Sequence, residues 1–164
     1  MQSINIIKYI GAAVILLSAA LFGYKLSRDY KAEQKAICGL YDMVVFVRDN
    51  IKHLMRPLPE IFLSYHNEYL ENTGLIADIR ERGLKAAWSD QTLLDEASAA
   101  YPIISDFVGS IGTGYCSEEI KLCDYTIDRL LEIIRKNEGE QRGKLKLYRT
   151  VPIMLALSII LIML

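Results

Sequence analysis

The chain has 164 residues and a formal net charge of −1, with 52% hydrophobic and 24% charged residues. This length allows one domain plus anchors, and the near-neutral charge gives no case for a nucleic-acid partner. The three cysteines form no CxxC motif. We therefore expect reduced thiols in a cytoplasmic domain rather than a disulfide framework.

Hydrophobic residues are concentrated at both ends of the chain. Lys8 is the only charged residue before Lys25, and no charged residue follows Arg149. Without these ends, roughly 120 residues remain, enough for one modest core. We divide the chain into an N-terminal transmembrane anchor (residues 1–24), a cytoplasmic helical bundle (25–149) and a C-terminal transmembrane segment (150–164).

The first apolar run, Tyr9–Tyr24, contains no charged residue. As a helix it would reach about 24 Å, short of a hydrocarbon core of about 30 Å. Adding residues 4–8 closes the gap if Lys8 extends to the interface. The alternative is a cleaved signal peptide, with a small-residue site at Ser18–Ala20. We favour a retained anchor because the apolar run continues past that site.

The second apolar run, Val151–Leu164, is shorter still, about 21 Å as a helix. It crosses a membrane only if Leu145–Thr150 contribute, so whether it fully spans stays open. We favour a span over a helix lying in the interface. A buried core helix is disfavoured because the run has no polar face.

Basic residues flank the inner sides of both apolar runs. They are Lys25, Arg28, Lys31 and Lys35 after the first, and Arg142, Lys144, Lys146 and Arg149 before the second. Only Lys8 lies outside. The positive-inside rule predicts a cytoplasmic central domain, with both termini on the far side of the membrane.

Two helices with a regular apolar stripe are predicted next to the anchors. The first, Tyr30–Met55, has its stripe at Ile37, Leu40, Val44, Val47, Ile51 and Leu54. The second begins at Ser117, whose side chain we expect to cap it, and has its stripe at Ile120, Cys123, Ile127, Leu130 and Ile134. This 3-4 spacing is typical of a helix-packing seam. We expect the two helices to pack side by side and antiparallel.

Between them the sequence predicts shorter helices and no strands. Pro57 and Pro59 should end the first long helix, and a helix from Ile61 should then run to Thr73–Gly74. Further helices are predicted at Leu75–Arg82, Leu93–Ala100 and Ile103–Ile111. The expected fold class is all-α, a cytoplasmic helical bundle between two transmembrane helices.

No residue pattern indicates catalysis, a cofactor or a metal. The glycine-rich stretch Gly109–Gly114 lacks the lysine of a phosphate-binding loop, so a helix-ending turn is favoured. His53, His66, Cys116 and Cys123 have no zinc-motif spacing. The acidic pairs Asp95/Glu96 and Glu118/Glu119 are adjacent in sequence and cannot converge on one helical face. We predict that the protein is not an enzyme.

Several segments, in this order, resemble the stage III sporulation protein AB family of endospore-forming bacteria. They are I-G-A-A-V-I-L-L-S-A-A-L-F-G (residues 10–23), P-L-P-E (57–60), G-L-K-A-A-W (83–88), F-V-G-S-I-G-T-G-Y-C-S-E-E (107–119) and K-L-Y-R (146–149). The resemblance covers nearly the whole chain. It departs in the last apolar run, where Pro152 and Ala156 stand where the family tends to have glycines.

The resemblance implies a non-enzymatic membrane platform in a secretion-like complex joining mother cell and forespore. The family's domain is similar to the inner-membrane platform protein of type II secretion and type IV pilus systems. Its implied partners are the membrane, other subunits of the complex and a cytoplasmic ATPase. The alternatives are a membrane-tethered signalling or regulatory adaptor, and a membrane enzyme that uses Gly109–Gly114.

The proline-stiffened turn Arg56–Glu60 is the candidate partner-binding site. The preceding helix would extend about 39 Å from the membrane, which places the turn where a soluble partner can reach it. Pro57 and Pro59 would hold Arg56 and Glu60 in a fixed relation at low entropic cost. The alternative is that the prolines only end a helix and both charges are solvated. Oligomeric state cannot be read from the sequence.

Overall fold

The computed structural model describes the backbone of residues 2–54 and 56–163, and within them the side chains of residues 11–54, 56–140 and 143–162. These residues form seven helices: α1 (Gln2–Leu54), α2 (Leu58–Ser64), α3 (Glu68–Asn72), α4 (Leu75–Arg82), α5 (Leu84–Ser89), α6 (Tyr101–Ser110) and α7 (Cys116–Met163). No strand occurs in this described part. The all-α fold predicted from the sequence is confirmed.

The chain divides into two compact units. The end unit comprises Met1–Ala32 and Glu138–Leu164, and the central unit comprises Glu33–Asn137. Helices α1 and α7 each contribute to both units. The predicted anchor and the predicted first seam therefore belong to one continuous helix of 53 residues. Met55, the predicted end of that helix, lies outside the described residues, as does the side chain of Lys8.

Helix α7 is also continuous, over 48 residues. It begins at Cys116 rather than with Ser117 as its cap. At its start, the backbone N–H of Tyr115 donates to a side-chain oxygen of Glu118, 3.3 Å away. Glu118 thus supplies the capping contact that we expected from Ser117.

The core of the central unit brings both seams together with the short helices. From α1 it buries Ala36, Ile37, Leu40, Met43, Val44, Val47 and Ile51, and from α7 it buries Cys123, Ile127 and Leu130. The short helices α2 to α6 contribute further residues to this core, including Phe62, Leu70, Ile76, Trp88, Ile104 and Phe107. Ala36 and Met43 lie beside the predicted stripe. The buried face of α1 is therefore wider than a coiled-coil seam.

Two contacts within the central unit show that α1 and α7 run antiparallel. A guanidinium nitrogen of Arg48 lies 3.4 Å from a carboxylate oxygen of Asp124. The Cys116 thiol lies 3.8 Å from the carbonyl oxygen of Ile51. Residues later in α1 thus meet residues earlier in α7.

The single helix predicted from Ile61 to Thr73 is wrong. The chain is extended at Tyr65, and α3 begins after Asn67, whose side-chain oxygen accepts from the Leu70 N–H at 3.1 Å. The carbonyls of Phe62 and Tyr65 accept from the Arg80 guanidinium at 3.2 and 2.7 Å. These bonds replace the helical ones, and the Tyr65 hydroxyl donates to the Gly39 carbonyl at 3.2 Å.

The helix predicted at Leu93–Ala100 is also wrong, because side chains bind the backbone N–H groups that a helix would use. The side-chain oxygen of Gln91 accepts from the Leu94 N–H at 2.9 Å. A carboxylate oxygen of Asp95 accepts from the Ala97 N–H at 3.0 Å. The segment is a series of turns between α5 and α6.

The end unit has small residues inside and large apolar residues outside. Gly23, Ser27 and Ala156 are buried. Leu17, Leu21, Leu161 and Ile162 are between 66 and 84% exposed. Small residues permit close helix packing within a bilayer. By length and composition, segments of α1 and α7 are each able to cross a membrane.

Pro152 explains a close approach of α1 and α7 within the end unit. A proline inside a helix cannot donate to the carbonyl four residues earlier, which here belongs to Tyr148. A Cβ added to Gly23 would lie 2.8 Å from that carbonyl oxygen and 3.5 Å from the Pro152 ring. Only a glycine therefore fits at this position of α1. The last apolar run has Pro152 where the resembled family tends to have a glycine, and the glycine of this contact lies on α1 instead, at Gly23.

Candidate partner-binding site

The Arg56–Glu60 turn connects α1 to α2 and is held by its own backbone. Pro57 is extended, and its carbonyl accepts from the N–H groups of Glu60 and Ile61 at 3.0 and 3.2 Å. Pro59 lies in the first turn of α2, where its missing N–H costs nothing. The prolines therefore do what the sequence predicts: they end the first long helix and begin the next.

Leu58 attaches the turn to the core. It is half-buried and packs against the core cluster. A Cβ added to Gly112, in the loop between α6 and α7, would lie 2.9 Å from a Leu58 methyl carbon. Gly112 has a φ of 82°, which favours glycine. Gly109–Gly114 thus forms a helix-ending turn, and it supports Leu58.

Arg56 and Glu60 are both exposed. Within the described part of the chain, neither forms an ion pair. Two large apolar side chains lie at the same end of the central unit: Leu54, 55% exposed, and Tyr115, 81% exposed. Along α1, this end is the one farthest from Glu33, where the central unit begins. It combines both signs of charge with exposed apolar surface, which suits a protein partner.

One seam residue lies outside the core. Leu54 was expected to continue the first stripe but is 55% exposed. Leu54 is the last residue of α1, and the chain turns away at Pro57, so its side chain remains open to solvent, whereas Ile51, one turn earlier, is buried. Ile120 and Ile134 lie at the ends of the second stripe and are only partly buried against the core.

A groove beside the turn was not anticipated from the sequence. It has a volume of about 590 Å³ and is bounded by residues of α2, α4, α5 and α6. Leu58 and Pro59 belong to both the turn and the groove. No sequence signal marks it, because its walls come from four separate segments.

The residues weighed for metal binding are spread out. No group of three or more His, Cys, Asp or Glu side chains is placed to hold a metal ion within the described ranges. His66 pairs with Glu71, its Nδ1 lying 2.9 Å from a carboxylate oxygen. Cys38 and Cys116 are exposed, whereas Cys123 is buried.

The burial of Cys123 gives a testable difference between the thiols. Burial raises the pKa of the Cys123 thiol to about 12, and the neighbouring Asp124 and Glu119 carboxylates add to the shift. We expect iodoacetamide at about pH 8 to modify Cys38 and Cys116 in the folded protein, and Cys123 only after unfolding in urea. Mass spectrometry of the labelled peptides measures this. Equal modification of Cys123 in the folded protein would contradict its burial.

The raised pKa of Cys123 also predicts how the free energy of unfolding changes with pH. The thiol ionises near a pKa of 9.0 when unperturbed and near 12 when folded. Ionisation therefore favours the unfolded chain above about pH 9. We expect the contribution of the buried Cys123 thiol to the free energy of unfolding to be lost progressively as the pH rises from about 9 toward 12.

The expected membrane-flanking residues that are described are all exposed: Lys25, Arg28, Lys146 and Arg149. Aromatic and basic groups meet beside them within the end unit. The rings of Tyr30 and Tyr148 are 5.8 Å apart between centroids, edge to face. The Lys144 ammonium lies 5.8 Å from the Tyr30 ring centroid. Tyrosine and lysine are typical of the membrane–water interface.

These features define an all-α protein with a helical central unit and two apolar terminal helices that fit a membrane protein. A family model described as stage III sporulation protein AB matches residues 8–164. The chain belongs to this sporulation family, which is not a known enzyme family. Comparison with curated proteins and with solved structures found no match.

Proposed function

We propose that the protein is a non-enzymatic membrane scaffold of a secretion-like channel complex needed for endospore formation. In this role it links membrane components to a cytoplasmic ATPase. The observation that carries the proposal is the family match over residues 8–164, on a chain whose apolar segments come before and after the central unit in the sequence. A scaffold needs an anchored part and an exposed binding part, and the two units suit these roles.

We propose that the protein lies in the cell membrane with two spans and that the central unit faces the cytoplasm. The exposed lysines and arginines that flank the apolar segments support this orientation. Both termini then lie on the far side. In a sporulating cell the membrane concerned is the mother-cell membrane around the forespore.

The experiment that tests this function is chemical cross-linking of the full-length chain in sporulating cells, followed by purification and mass spectrometry. We expect membrane subunits and a cytoplasmic ATPase among the cross-linked proteins. Recovery of signalling or regulatory proteins, without an ATPase or other channel subunits, would instead support the adaptor alternative.

We propose that Arg56 and Glu60 contact the cytoplasmic partner. Both side chains are exposed on a turn whose backbone is fixed by Pro57 and Pro59. Replacing both by Ala should leave folding and membrane insertion unchanged, because neither side chain is buried. We expect the variant to lose its cytoplasmic partner in the cross-linking experiment and to fail in sporulation.

The control for this double variant is Arg129→Ala with Glu132→Ala, an exposed i,i+3 ion pair of α7 that is not part of the turn. Such a surface pair contributes about 0–1 kcal/mol. We expect this control to sporulate normally. Wild-type partner recovery and sporulation of the Arg56/Glu60 variant would show that the turn only connects two helices.

A further inference from the structure

The groove beside the Arg56–Glu60 turn has a buried apolar floor and an exposed apolar edge. Its floor includes Phe62, Ile79 and Val108, which are 3 to 4% exposed. Leu63, at its edge, is 63% exposed. A large apolar side chain left open beside a concave apolar surface is typical of a protein-binding site.

The walls of the groove are held by polar contacts. The Arg80 guanidinium ties α4 to the carbonyls of Phe62 and Tyr65, which end α2. The Arg82 guanidinium pairs with Asp78 at 3.2 Å and with Asp90, beyond α5, at 2.5 Å. A preformed groove loses little conformational entropy when a partner binds.

The charged side chains that line the groove are all positive. Among the described residues that line it, three are cationic, Arg80, Arg82 and Lys85, and none is acidic. The acids near Arg80 and Arg82 neutralise those two residues. Lys85 is exposed and has no ion pair among the described residues. The open positive charge at the edge of the groove is therefore that of Lys85.

We propose that this groove binds an amphipathic helix of a partner protein, with apolar side chains in the groove and a carboxylate against Lys85. A helix lying in an apolar groove presents residues at i, i+3, i+4 and i+7. A small polar molecule fits less well, because the arginines of the walls already bind protein groups and few free polar groups converge. The inference rests on the proposed function, since it names the chemistry of the scaffold's partner.

The test places the photo-cross-linker p-benzoyl-phenylalanine at Leu63 in the full-length chain, in sporulating cells. The cross-linked peptide is identified by mass spectrometry. We expect a segment of another protein with apolar residues at helical spacing and an Asp or Glu within one turn of them. Lys85→Glu should lower the cross-linking yield about fivefold or more. Replacing the partner's acid by Lys should restore the yield in that background.

The matched control is Lys121→Glu, an exposed charge reversal on α7 outside the groove, which should leave the yield unchanged. Trypsin resistance of each variant in membranes verifies that it is folded. A cross-link to a second copy of this chain or to lipid only would overturn the proposal. An equal yield with Lys85 and with Glu at that position would overturn it as well.

Failure of this inference can be distinguished from failure of the proposed function. One result separates them: chemical cross-linking of the whole chain recovers the channel subunits while Leu63 captures none of them. In that case the scaffold function stands and the groove is not the binding site. If neither experiment recovers a channel subunit, both proposals fail.

Discussion

Replacing Val44 by Asp is expected to unfold the central unit. Val44 is fully buried in the core cluster between α1 and the rest of the unit. An unpaired carboxylate there costs several kcal/mol, comparable to the 5–15 kcal/mol that stabilises a typical domain. Ile127→Asp, on the α7 side of the same core, should have the same effect. Trypsin digestion of the full-length protein in membrane vesicles measures it, as rapid cleavage between residues 33 and 137.

Leu54→Asp is the matched control for Val44→Asp. Leu54 lies on the same helix and in the same predicted stripe, but it is 55% exposed. The new charge stays in water near the C-terminal end of the α1 dipole, which costs about 0.3–1 kcal/mol. We expect near-normal trypsin resistance. If Val44→Asp and Leu54→Asp were equally resistant, the core described above would be incorrect.

Replacing Gly23 by Leu is expected to force α1 and α7 apart within the end unit. Even the first added carbon would lie 2.8 Å from the Tyr148 carbonyl oxygen and 3.4 Å from the Arg149 Cα. These are backbone atoms, so no side-chain rotation relieves the contact. Overpacking of this kind costs about 1–3 kcal/mol or more. We expect a thermal unfolding midpoint in detergent several degrees lower, with Gly23→Ala intermediate.

Gly11→Leu is the control for Gly23→Leu. Gly11 is exposed on the same helix, and among the described residues no atom lies within 4 Å of a Cβ added there. The substitution removes a glycine from the helix interior without creating a clash. Its unfolding midpoint should equal or exceed that of the wild type. A midpoint for Gly23→Leu equal to that of Gly11→Leu would contradict the close approach.

The sequence predicts the all-α class and most of the core because both depend on local periodicity. Val44, Val47, Ile127 and Leu130 repeat at helical spacing, and each is buried. Helix ends set by glycine and proline also depend on local sequence. Gly74 and Gly83, with φ values of 83° and 84°, bound α4 where the sequence places its ends.

The errors in prediction arise where side chains compete for the backbone. Asn67 caps α3 in the middle of a predicted helix, and Gln91 replaces a helix by turns through a bond to the Leu94 N–H. The break at Tyr65 also involves Arg80, which lies 15 residues away in sequence and donates to the Tyr65 carbonyl. The groove at Leu63 could not be predicted either, because its residues are far apart in sequence. Its walls are adjacent only in the folded chain.

Thiol labelling in intact cells tests the central claim, a cytoplasmic unit held by two membrane spans. The full-length chain is produced in growing bacterial cells and treated with a membrane-impermeant maleimide before and after permeabilisation. Cys38 and Cys116 are exposed and report on the central unit, while Ser3→Cys reports on the N-terminal side. We predict that Ser3→Cys is labelled in intact cells, and Cys38 and Cys116 only after permeabilisation. Labelling of Cys116 in intact cells would contradict the account.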